Sequence, residues 1–171
     1  MRNAAGVPAG AEVYVGLGAN LADPVAQVRA GMTALGRLPD TRLERCSSLY
    51  RSAPVGVTDQ PDFINAVCRL RTRLAPEALM QRLFGIERDA GRERRGGEPG
   101  GPRTLDLDLL LYDQRALRTP ELTLPHPRLH ERAFVLYPLI ELAPELVIPG
   151  HGRAADLLAA CTGQRVERLE S

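Results

Sequence analysis

Apolar residues recur at two spacings along this chain, and these spacings predict an alternating series of strands and helices. Alternation with period two predicts strands over 12–17, 41–52, 62–72 and from Thr104 onward. Helical spacing predicts helices over about 24–36 and 76–90, the first capped by Asp23 and the second ended by Gly91. The β-α-β-β-α-β order predicts an α+β fold of the ferredoxin-like type, with both helices on one face of an antiparallel sheet.

The rest of the sequence predicts additional elements beyond this core. They are a short segment at 122–126, a helix over about 131–142, an extended segment at 146–149, a helix near 153–160 and a tail at 166–169. We expect the C-terminal helices to cover the second face of the sheet and to wall a cleft there. A protein of 171 residues has the size of one domain, so we expect a single domain with residues 1–11 as a flexible tail.

The strand that starts near Thr104 combines an apolar face with a pair of carboxylates. Its period of two places the leucines on one face and both Asp106 and Asp108 on the other, with Cα atoms roughly 6.6 Å apart. Two carboxylates that lean the same way are suited to hold one or two hard divalent cations, with waters and phosphate oxygens as the other ligands. The alternative is an amphipathic strand whose solvent face is acidic.

The segment before this strand is rich in glycine and arginine. Residues 91–103 include five glycines and four arginines, a composition that predicts a mobile loop rather than a core element. Arginines on such a loop beside a carboxylate pair indicate a phosphate clamp that faces a metal site. The alternative is a solvated basic loop.

Several other polar residues are candidates for binding. Asn65 lies on an otherwise apolar stripe beside Phe63, which is typical either of a satisfied core asparagine or of a site for a heterocycle. Glu87, near the end of a predicted helix, is either an exposed glutamate or a carboxylate that faces the aspartate pair. His126 and Arg132 are candidates for an anion site, although Arg132 is equally an exposed helix residue.

Composition excludes some classes of protein. All 22 basic residues are arginine, so neither the lysine of a Walker-type phosphate loop nor a Schiff-base lysine is present. A net charge of +1 produces no electrostatic field that would attract nucleic acid or a membrane surface. The three cysteines lie far apart in the sequence and fit no disulfide framework. No apolar run has the length of a signal peptide or membrane span. We therefore expect a cytoplasmic monomer whose partners are small molecules rather than macromolecules.

Seven segments of this sequence together resemble the 6-hydroxymethyl-7,8-dihydropterin pyrophosphokinase family of folate biosynthesis. The most specific is Gly-Pro-Arg-Thr-Leu-Asp-Leu-Asp at 101–108, and Gly-Leu-Gly-Ala-Asn-Leu at 16–21 is another. The others occur in the family's order at 47–52, 59–65, 86–92, 124–126 and 131–134. The resemblance runs from about residue 13 to 149 and implies transfer of pyrophosphate from ATP to the pterin hydroxymethyl group, which yields AMP.

The resemblance also implies roles for particular residues. Asp106 and Asp108 match the carboxylates that hold two Mg²⁺ ions on the ATP phosphates, and Arg92 and Arg103 match catalytic arginines. The residues that match contacts to ATP are Arg94, His126, Arg132 and, as a further site carboxylate, Glu87. Those that match the pterin pocket are Ser52, Val55, Phe63, Asn65 and Phe134. In this family, three loops close over the substrates and keep water from ATP.

The sequence departs from the family pattern mainly in the loop before Arg103. The family reads Arg-Trp-Gly-Pro-Arg where this protein reads Pro-Gly-Gly-Pro-Arg at 99–103, so an aromatic residue is lost. Pro127 stands where members often have tyrosine, and Glu121 stands where arginine is frequent. We expect weaker closure over the substrates, at a cost on the order of 1 kcal/mol for one stacking contact.

Two other classes of function fit parts of the pattern. A ferredoxin-like domain can be a regulatory or RNA-binding module, but RNA-binding versions expose aromatic residues on the sheet, and this sequence has four tyrosines, three phenylalanines and no tryptophan. A metal-dependent phosphodiester hydrolase can also use paired aspartates, but the three histidines offer no histidine-rich metal shell.

Overall fold

The computed structural model describes residues 10–55, 58–91 and 104–169. The strands are β1 (Ala11–Ala19), β2 (Thr41–Cys46), β3 (Tyr50–Ser52), β4 (Phe63–Thr72), β5 (Asp106–Tyr112), β6 (Leu117–Arg118), β7 (Thr123–Leu124), β8 (Val147–Ile148), β9 (Gly152–Arg153) and β10 (Val166–Arg168). The helices are α1 (Pro24–Leu35), α2 (Pro76–Asp89), α3 (Ala133–Leu142) and α4 (Ala154–Ala160), and a 3₁₀ turn spans Leu129–Glu131. The strand β1 begins at Ala11, so at least the last residue of the predicted tail, 1–11, is part of the sheet.

Six strands form one antiparallel sheet, in which β4 lies in the middle and β1 lies between β4 and β5. The order is β10-β3-β4-β1-β5, and β2 also pairs with β4. The prediction of an α+β protein with an antiparallel sheet is therefore confirmed. The segment at 166–169, predicted as a tail, supplies the edge strand β10, which pairs with β3.

The predicted strand over 41–52 is two strands, because its middle hydrogen-bonds through side chains. Ser47 Oγ accepts a hydrogen bond from Val67 N at 2.9 Å and so takes the place of a backbone carbonyl in the ladder. The next amide, Ser48 N, donates to the Glu141 carboxylate of α3 at 3.0 and 3.1 Å. The ladder to β4 is interrupted here and resumes at Tyr50.

The first face of the sheet packs against α1 and α2. Both helices begin with proline, and Asp23 Oδ1 caps α1 by accepting from Ala26 N at 3.2 Å. At Gly31 of α1 a Cβ would lie 2.9 Å from Leu17 Cδ2, so glycine allows the helix to approach β1 closely. The buried residues of this face include the leucines of β5 at 107 and 109, as the alternation predicted.

The second face of the sheet packs against α3 and α4. Its buried residues are Tyr14, Val67, Leu110 and Leu111 from the sheet and Leu136, Leu139 and Leu142 from α3, among others. The alternation in β5 is broken by a bulge, since the register shifts between Tyr14 and Val15 of β1. Because of this bulge, both Leu110 and Leu111 contribute to the second face. This cluster covers one part of the second face, and the rest is open.

Candidate active site

Two glycines of β1 form the floor of the open part of the second face. Gly16 lies opposite Asp108 and Gly18 lies opposite Asp106 in the β1–β5 ladder. On the other side of β1, Gly18 lies opposite Asn65 of β4. Residues that are directly opposite in a ladder point to the same face, so both aspartates and Asn65 flank a strip without side chains. Glycine in a strand interior often marks such a close approach of a ligand to backbone.

These residues line a cavity of about 580 Å³. The lining combines three acidic and two basic side chains with apolar and aromatic ones. It includes Gly16, Gly18, Ser52, Ala53, Val55, Phe63, Asn65, Asp106, Asp108, Arg128, Glu131, Arg132, Phe134 and Gln164. The structure therefore brings together eight of the residues predicted from the sequence: all five of the pterin set, both aspartates and Arg132.

One end of the cavity is aromatic and has a fixed amide. Asn65 is buried, and its Nδ2 donates to Ser52 Oγ at 2.8 Å, while a Cβ placed on Gly18 would lie 3.4 Å from its Oδ1. Because the amide nitrogen bonds to β3, the carbonyl oxygen faces the glycine floor. Phe63 and Phe134 line the same end from the sheet and from α3. The amide offers an acceptor in a fixed position in a cavity that two aromatic rings also line.

The other end of the cavity is charged. Arg132 Nη1 lies 3.9 Å from Asp108 Oδ2, and its guanidinium lies 5.6 Å from the centre of the Phe134 ring. Arg128 and Glu131 line the cavity beside it and face each other at 3.6 Å. Arg132 thus links the aromatic end to the carboxylate pair, and its side chain spans the boundary between them.

The bulge in β5 positions His126 beside the aspartates. The Leu110 carbonyl accepts a hydrogen bond from His126 N at 2.9 Å, and His126 Nε2 lies 3.8 Å from Asp108 Oδ1. Arg128 N donates to His126 Nδ1 at 3.2 Å, so in the neutral ring the proton is on Nε2. Burial, with help from the positive charges of Arg132 and Arg128 and against the pull of Asp106, lowers the His126 pKa to about 4. The ring is a neutral donor that points to the carboxylate pair.

A second cavity of about 220 Å³ adjoins the first at Asp108. Its walls are largely apolar and come from α2, β5 and the segment that carries β7. The lining includes Met80, Leu83, Phe84, Leu109, Glu121, Thr123, His126 and Pro127. A ligand that spans both cavities would therefore place its middle at the aspartate.

Glu87 is placed differently from the two possibilities in the sequence. It is buried, with 1% exposure, so the possibility of an exposed glutamate is wrong. Its Oε2 accepts a hydrogen bond from Leu107 N at 2.8 Å, the amide between the two aspartates. Its side chain extends from α2 to β5, and it lines neither of these two cavities as the described residues form them. A role for Glu87 in binding ATP stays a prediction.

Three predicted site residues, Arg92, Arg94 and Arg103, lie outside the described residues. Conversely, the structure adds Arg128, Glu131 and Gln164 to the cavity, none of which was singled out as a site residue. Glu131 belongs to a segment that carried the family resemblance, so it could have been found. Arg128 and Gln164 have no signal in the sequence, because folding alone brings them there.

The carboxylate pair is suited to Mg²⁺. Mg²⁺ in enzymes that act on phosphates is held by one or two carboxylates, with the other ligands from water and substrate. Asp106 and Asp108 share a face, and the glycines opposite them leave space in front of both carboxylates. Within the described ranges, no group of three or more His, Cys, Asp and Glu side chains is arranged to hold a metal. Two carboxylates with room for phosphate oxygens therefore fit an ion brought with a nucleotide.

The fold and the cavity together define a class of protein. A carboxylate pair and neighbouring arginines suit phosphoryl transfer, and an aromatic hollow in the same cavity suits a small-molecule acceptor. Comparison with known proteins identifies the family. Residues 14–144 match the family described as 7,8-dihydro-6-hydroxymethylpterin-pyrophosphokinase, HPPK. The chain belongs to this family and is an enzyme of the pyrophosphokinase type, as the resemblance predicted.

Two relatives with curated names align with this chain over nearly their whole length. The chain is 50% identical over 157 residues to 2-amino-4-hydroxy-6-hydroxymethyldihydropteridine pyrophosphokinase of Pseudomonas aeruginosa, a match that spans 92% of this chain and 96% of the relative. It is 41% identical over 158 residues to the protein of the same name from Haemophilus influenzae, with 91% and 96% covered.

Solved structures show the same fold. A crystal structure of HPPK-DHPS in complex with substrates aligns with a TM-score of 0.67 at 11% identity, over 90% of this chain and 43% of that chain. A Plasmodium falciparum HPPK-DHPS structure aligns with a TM-score of 0.67 at 12% identity, over 88% of this chain and 45% of that chain. The present protein thus spans less than half the length of these solved chains. In the described ranges, none of the helices is long and apolar enough to cross a membrane.

Proposed function

We propose that this enzyme transfers the pyrophosphoryl group of ATP to the hydroxymethyl group of 6-hydroxymethyl-7,8-dihydropterin, as a step in folate biosynthesis. The products are AMP and the pterin diphosphate. The observation that carries this proposal is that one cavity holds an aromatic end with a fixed amide and a charged end with a carboxylate pair. A flat polar heterocycle fits the first end, and metal-bound phosphates fit the second.

In this proposal the pterin ring lies at the aromatic end. Phe63 and Phe134 contact its two faces, and Asn65 Oδ1 accepts from an N–H group at its edge. The hydrogen bond from Asn65 to Ser52 keeps the amide from rotating, and Val55 covers the ring from the loop after β3. Orientation of the ring in this way directs its hydroxymethyl group to the aspartates, where the phosphates lie.

The phosphates of ATP lie at the charged end. Asp106 and Asp108 would hold two Mg²⁺ ions, which neutralise phosphate charge and lower the pKa of the attacking hydroxyl. The proton on His126 Nε2 and the Arg132 guanidinium donate to phosphate oxygens, which replace Asp108 as their nearest acceptors. Arg92, Arg94 and Arg103 remain proposed partners of the phosphates on the grounds of the family resemblance. The adenosine moiety occupies the second cavity, since the two cavities meet at Asp108.

The protein contributes to the reaction mainly by position and charge. The pterin hydroxyl oxygen forms a bond with the β-phosphorus, and the bond between that phosphorus and the oxygen bridging to the α-phosphate breaks, so that AMP leaves. The hydroxyl proton passes to solvent or to a phosphate oxygen. Arg92 and Arg103, which match catalytic arginines of the family, would follow the negative charge that develops in the transition state, and Arg132, beside Asp108, would contact the ATP phosphates.

The proposal also includes the topology of the fold, the oligomeric state and the location of the protein. The order β5-β1-β4, with β2 and β3 both paired to β4, supports a ferredoxin-like core whose second strand is split. We also propose a single domain that acts as a monomer in the cytoplasm, which sedimentation of the purified protein and fractionation of cells would test.

The proposed function is tested by an assay that resolves AMP from ADP. Purified protein is supplied with MgATP and 6-hydroxymethyl-7,8-dihydropterin, and we expect AMP and the pterin diphosphate in equal amounts. Formation of ADP in place of AMP would instead indicate transfer of a single phosphoryl group. AMP formation that does not depend on the pterin would contradict the proposal as well.

A further inference from the structure

The segment that follows the matched family region returns to the cavity. The family match ends at residue 144, and residues 161–168 lie beyond it. This segment contains β10, which pairs with β3, and just before β10 it passes the rim of the cavity. Gln164 lines the cavity there, although nothing in the family match or the sequence assigns it a role.

Gln164 bridges the two residues on either side of Arg132. Its Oε1 accepts a hydrogen bond from Ala133 N at 2.9 Å, and its Nε2 donates to the Glu131 carbonyl at 2.8 Å. Ala133 is the first residue of α3, and the N-cap residue Arg132 makes no side-chain capping bond itself. Gln164 therefore supplies, from a distant part of the sequence, an acceptor for the first amide of α3, one of the four amides that have no partner within a helix.

The adjacent residue attaches the same segment to the opposite wall. The Arg165 carbonyl accepts from Ala53 N at 3.3 Å, next to Ser52. The Arg165 guanidinium lies 3.3 Å from the Asp62 carboxylate, next to Phe63. This ion pair is exposed, so its own contribution is small. Two consecutive residues thus contact both walls of the aromatic end, α3 through Gln164 and the sheet through Arg165.

We propose that Gln164 is a positioning residue for the pterin site: it fixes the start of α3 so that Phe134 keeps its distance from the sheet wall. This inference rests on the proposed function, since it assumes that the pterin occupies the aromatic end. The bridge spans Glu131 and Ala133, so it holds the backbone of Arg132 as well as Phe134. The adenosine cavity is built from α2, β5 and β7, which the bridge does not contact. Of the proposed ATP contacts, loss of the bridge should therefore disturb only that of Arg132 with the phosphates, so it should weaken pterin binding more than ATP binding.

The test is a pair of substitutions that separate hydrogen bonding from volume. Gln164→Met keeps a side chain of similar length but removes both hydrogen bonds. We expect it to raise the KM for the pterin roughly five- to tenfold, which corresponds to the loss of one or two hydrogen bonds, and the KM for MgATP about twofold or less. Gln164→Glu keeps the acceptor for Ala133 N but sets a carboxylate oxygen against the Glu131 carbonyl in place of the donor, so its KM for the pterin should lie between those of the wild type and Gln164→Met.

A matched control comes from the same segment. Glu167 of β10 lies 3.6 Å from Arg51 in an exposed ion pair and is not part of the cavity lining among the described residues. Glu167→Gln should leave both KM values unchanged. Hydrogen exchange of the peptide that covers 129–136 gives a readout independent of activity, because Gln164→Met should speed exchange at the Ala133 amide and Glu167→Gln should not.

The outcomes separate this inference from the proposed function. If the wild-type protein forms no AMP in response to the pterin, the proposed function fails and this inference fails with it. If the wild type is active but Gln164→Met leaves the pterin KM unchanged, or raises both KM values equally, only the positioning role is overturned. A lower melting temperature with unchanged KM values would likewise reduce Gln164 to a structural residue.

Discussion

The two faces of the central sheet are built by the same strands but are held in different ways. On the first face, β1, β4 and β5 place leucines, valines and isoleucine against α1 and α2, and this cluster is almost wholly buried. On the second face, the same strands carry glycines, Asn65 and the two aspartates, which border open space. Strand β5 shows the contrast at its start, since Leu107 lies between Asp106 and Asp108.

The helices of the two faces are attached by different interactions. Apolar contact with α1 and α2 dominates on the first face. On the second face, apolar contacts of α3 are supplemented by polar bridges, such as the Glu141 carboxylate, which accepts from Ser48 N, Ser48 Oγ and Tyr50 OH. Such hydrogen bonds hold α3 at a set distance from the sheet and leave space between the helix and the sheet. The difference indicates that the first face stabilises the fold and the second face shapes the cavity.

The largest effect should come from the carboxylate pair. Asp106→Ala removes one of the two proposed metal ligands, and we expect turnover to fall by about 10³-fold or more, equivalent to roughly 4 kcal/mol of transition-state stabilisation. Folding should be retained, because Asp106 belongs to the cavity lining and not to the buried apolar cluster. Rates of AMP formation and a thermal melt check both points. Asp113→Asn, just after the same strand, is the control, and an active Asp106→Ala enzyme would refute the metal role.

The second largest effect is expected on stability, from a substitution in the core of the first face. Leu107 is 4% exposed, and Leu107→Ala should lower the free energy of unfolding by about 3 kcal/mol through lost contacts and a residual cavity. The backbone amide that donates to Glu87 remains in this variant. Below its melting temperature the variant should keep the pterin KM of the wild type, as urea unfolding and steady-state assays would show, whereas the MgATP KM should change because Leu107 also lines the second cavity. Leu107→Met should cost less than about 1.5 kcal/mol. A large change in the pterin KM without a loss of stability would contradict the division between the faces.

A smaller effect is expected at the aromatic wall. Phe134→Ala removes one of the two rings proposed to contact the pterin, and we expect the pterin KM to rise roughly tenfold, since a stacking contact contributes about 0.5–1.5 kcal/mol beyond burial. The pterin KM of Phe134→Leu should lie between those of the wild type and Phe134→Ala, because leucine restores apolar area but no ring. Calorimetric titration and steady-state assays measure the effect. An unchanged pterin KM in Phe134→Ala would place the pterin elsewhere.

The smallest effect concerns the polar bridge between α3 and β3. Tyr50 OH donates to Glu141 Oε1 at 2.7 Å, and Tyr50→Phe should cost about 1 kcal/mol at neutral pH, since Ser48 still donates to the carboxylate. Burial raises the Glu141 pKa, but the hydrogen bonds from Tyr50 and Ser48 and the charge of Arg168 outweigh it and hold the pKa below its usual 4.5.

The pH dependence follows from the direction of that shift. A carboxyl group whose folded pKa is lowered stabilises the protein above its unfolded pKa, and this stabilisation is lost as the pH falls through the folded pKa. The difference in stability between wild type and Tyr50→Phe should therefore be constant at neutral pH and shrink below about pH 4.5. Urea unfolding at neutral pH and at several points on either side of pH 4.5 would check it. A difference that grows in acid would show that the tyrosine contributes through another contact.

Much of the fold was predictable, because it depends on local patterns. Both helices of the core begin at proline as predicted, and Gly91 follows α2 with a φ of 90°, which suits the predicted C-terminal cap. The alternation of β5 correctly placed Asp106 and Asp108 on one face of the sheet and Leu107 and Leu109 on the other. The split of the second strand was not predicted, because it depends on Ser47 Oγ and Glu141, and the latter lies far away in the sequence.

The sequence by itself determined the class of fold, the carboxylate pair and, through its resemblance to a family, most of the cavity residues. Those features follow from residue type, from spacing within segments and from the order of the segments, all of which can be read along the chain. Only the tertiary structure decided the bulge that orients His126, the burial of Glu87 against Leu107 N and the bridge from Gln164 to α3. Each of these joins residues from separate elements, so its energy depends on packing geometry that no single segment of the sequence specifies.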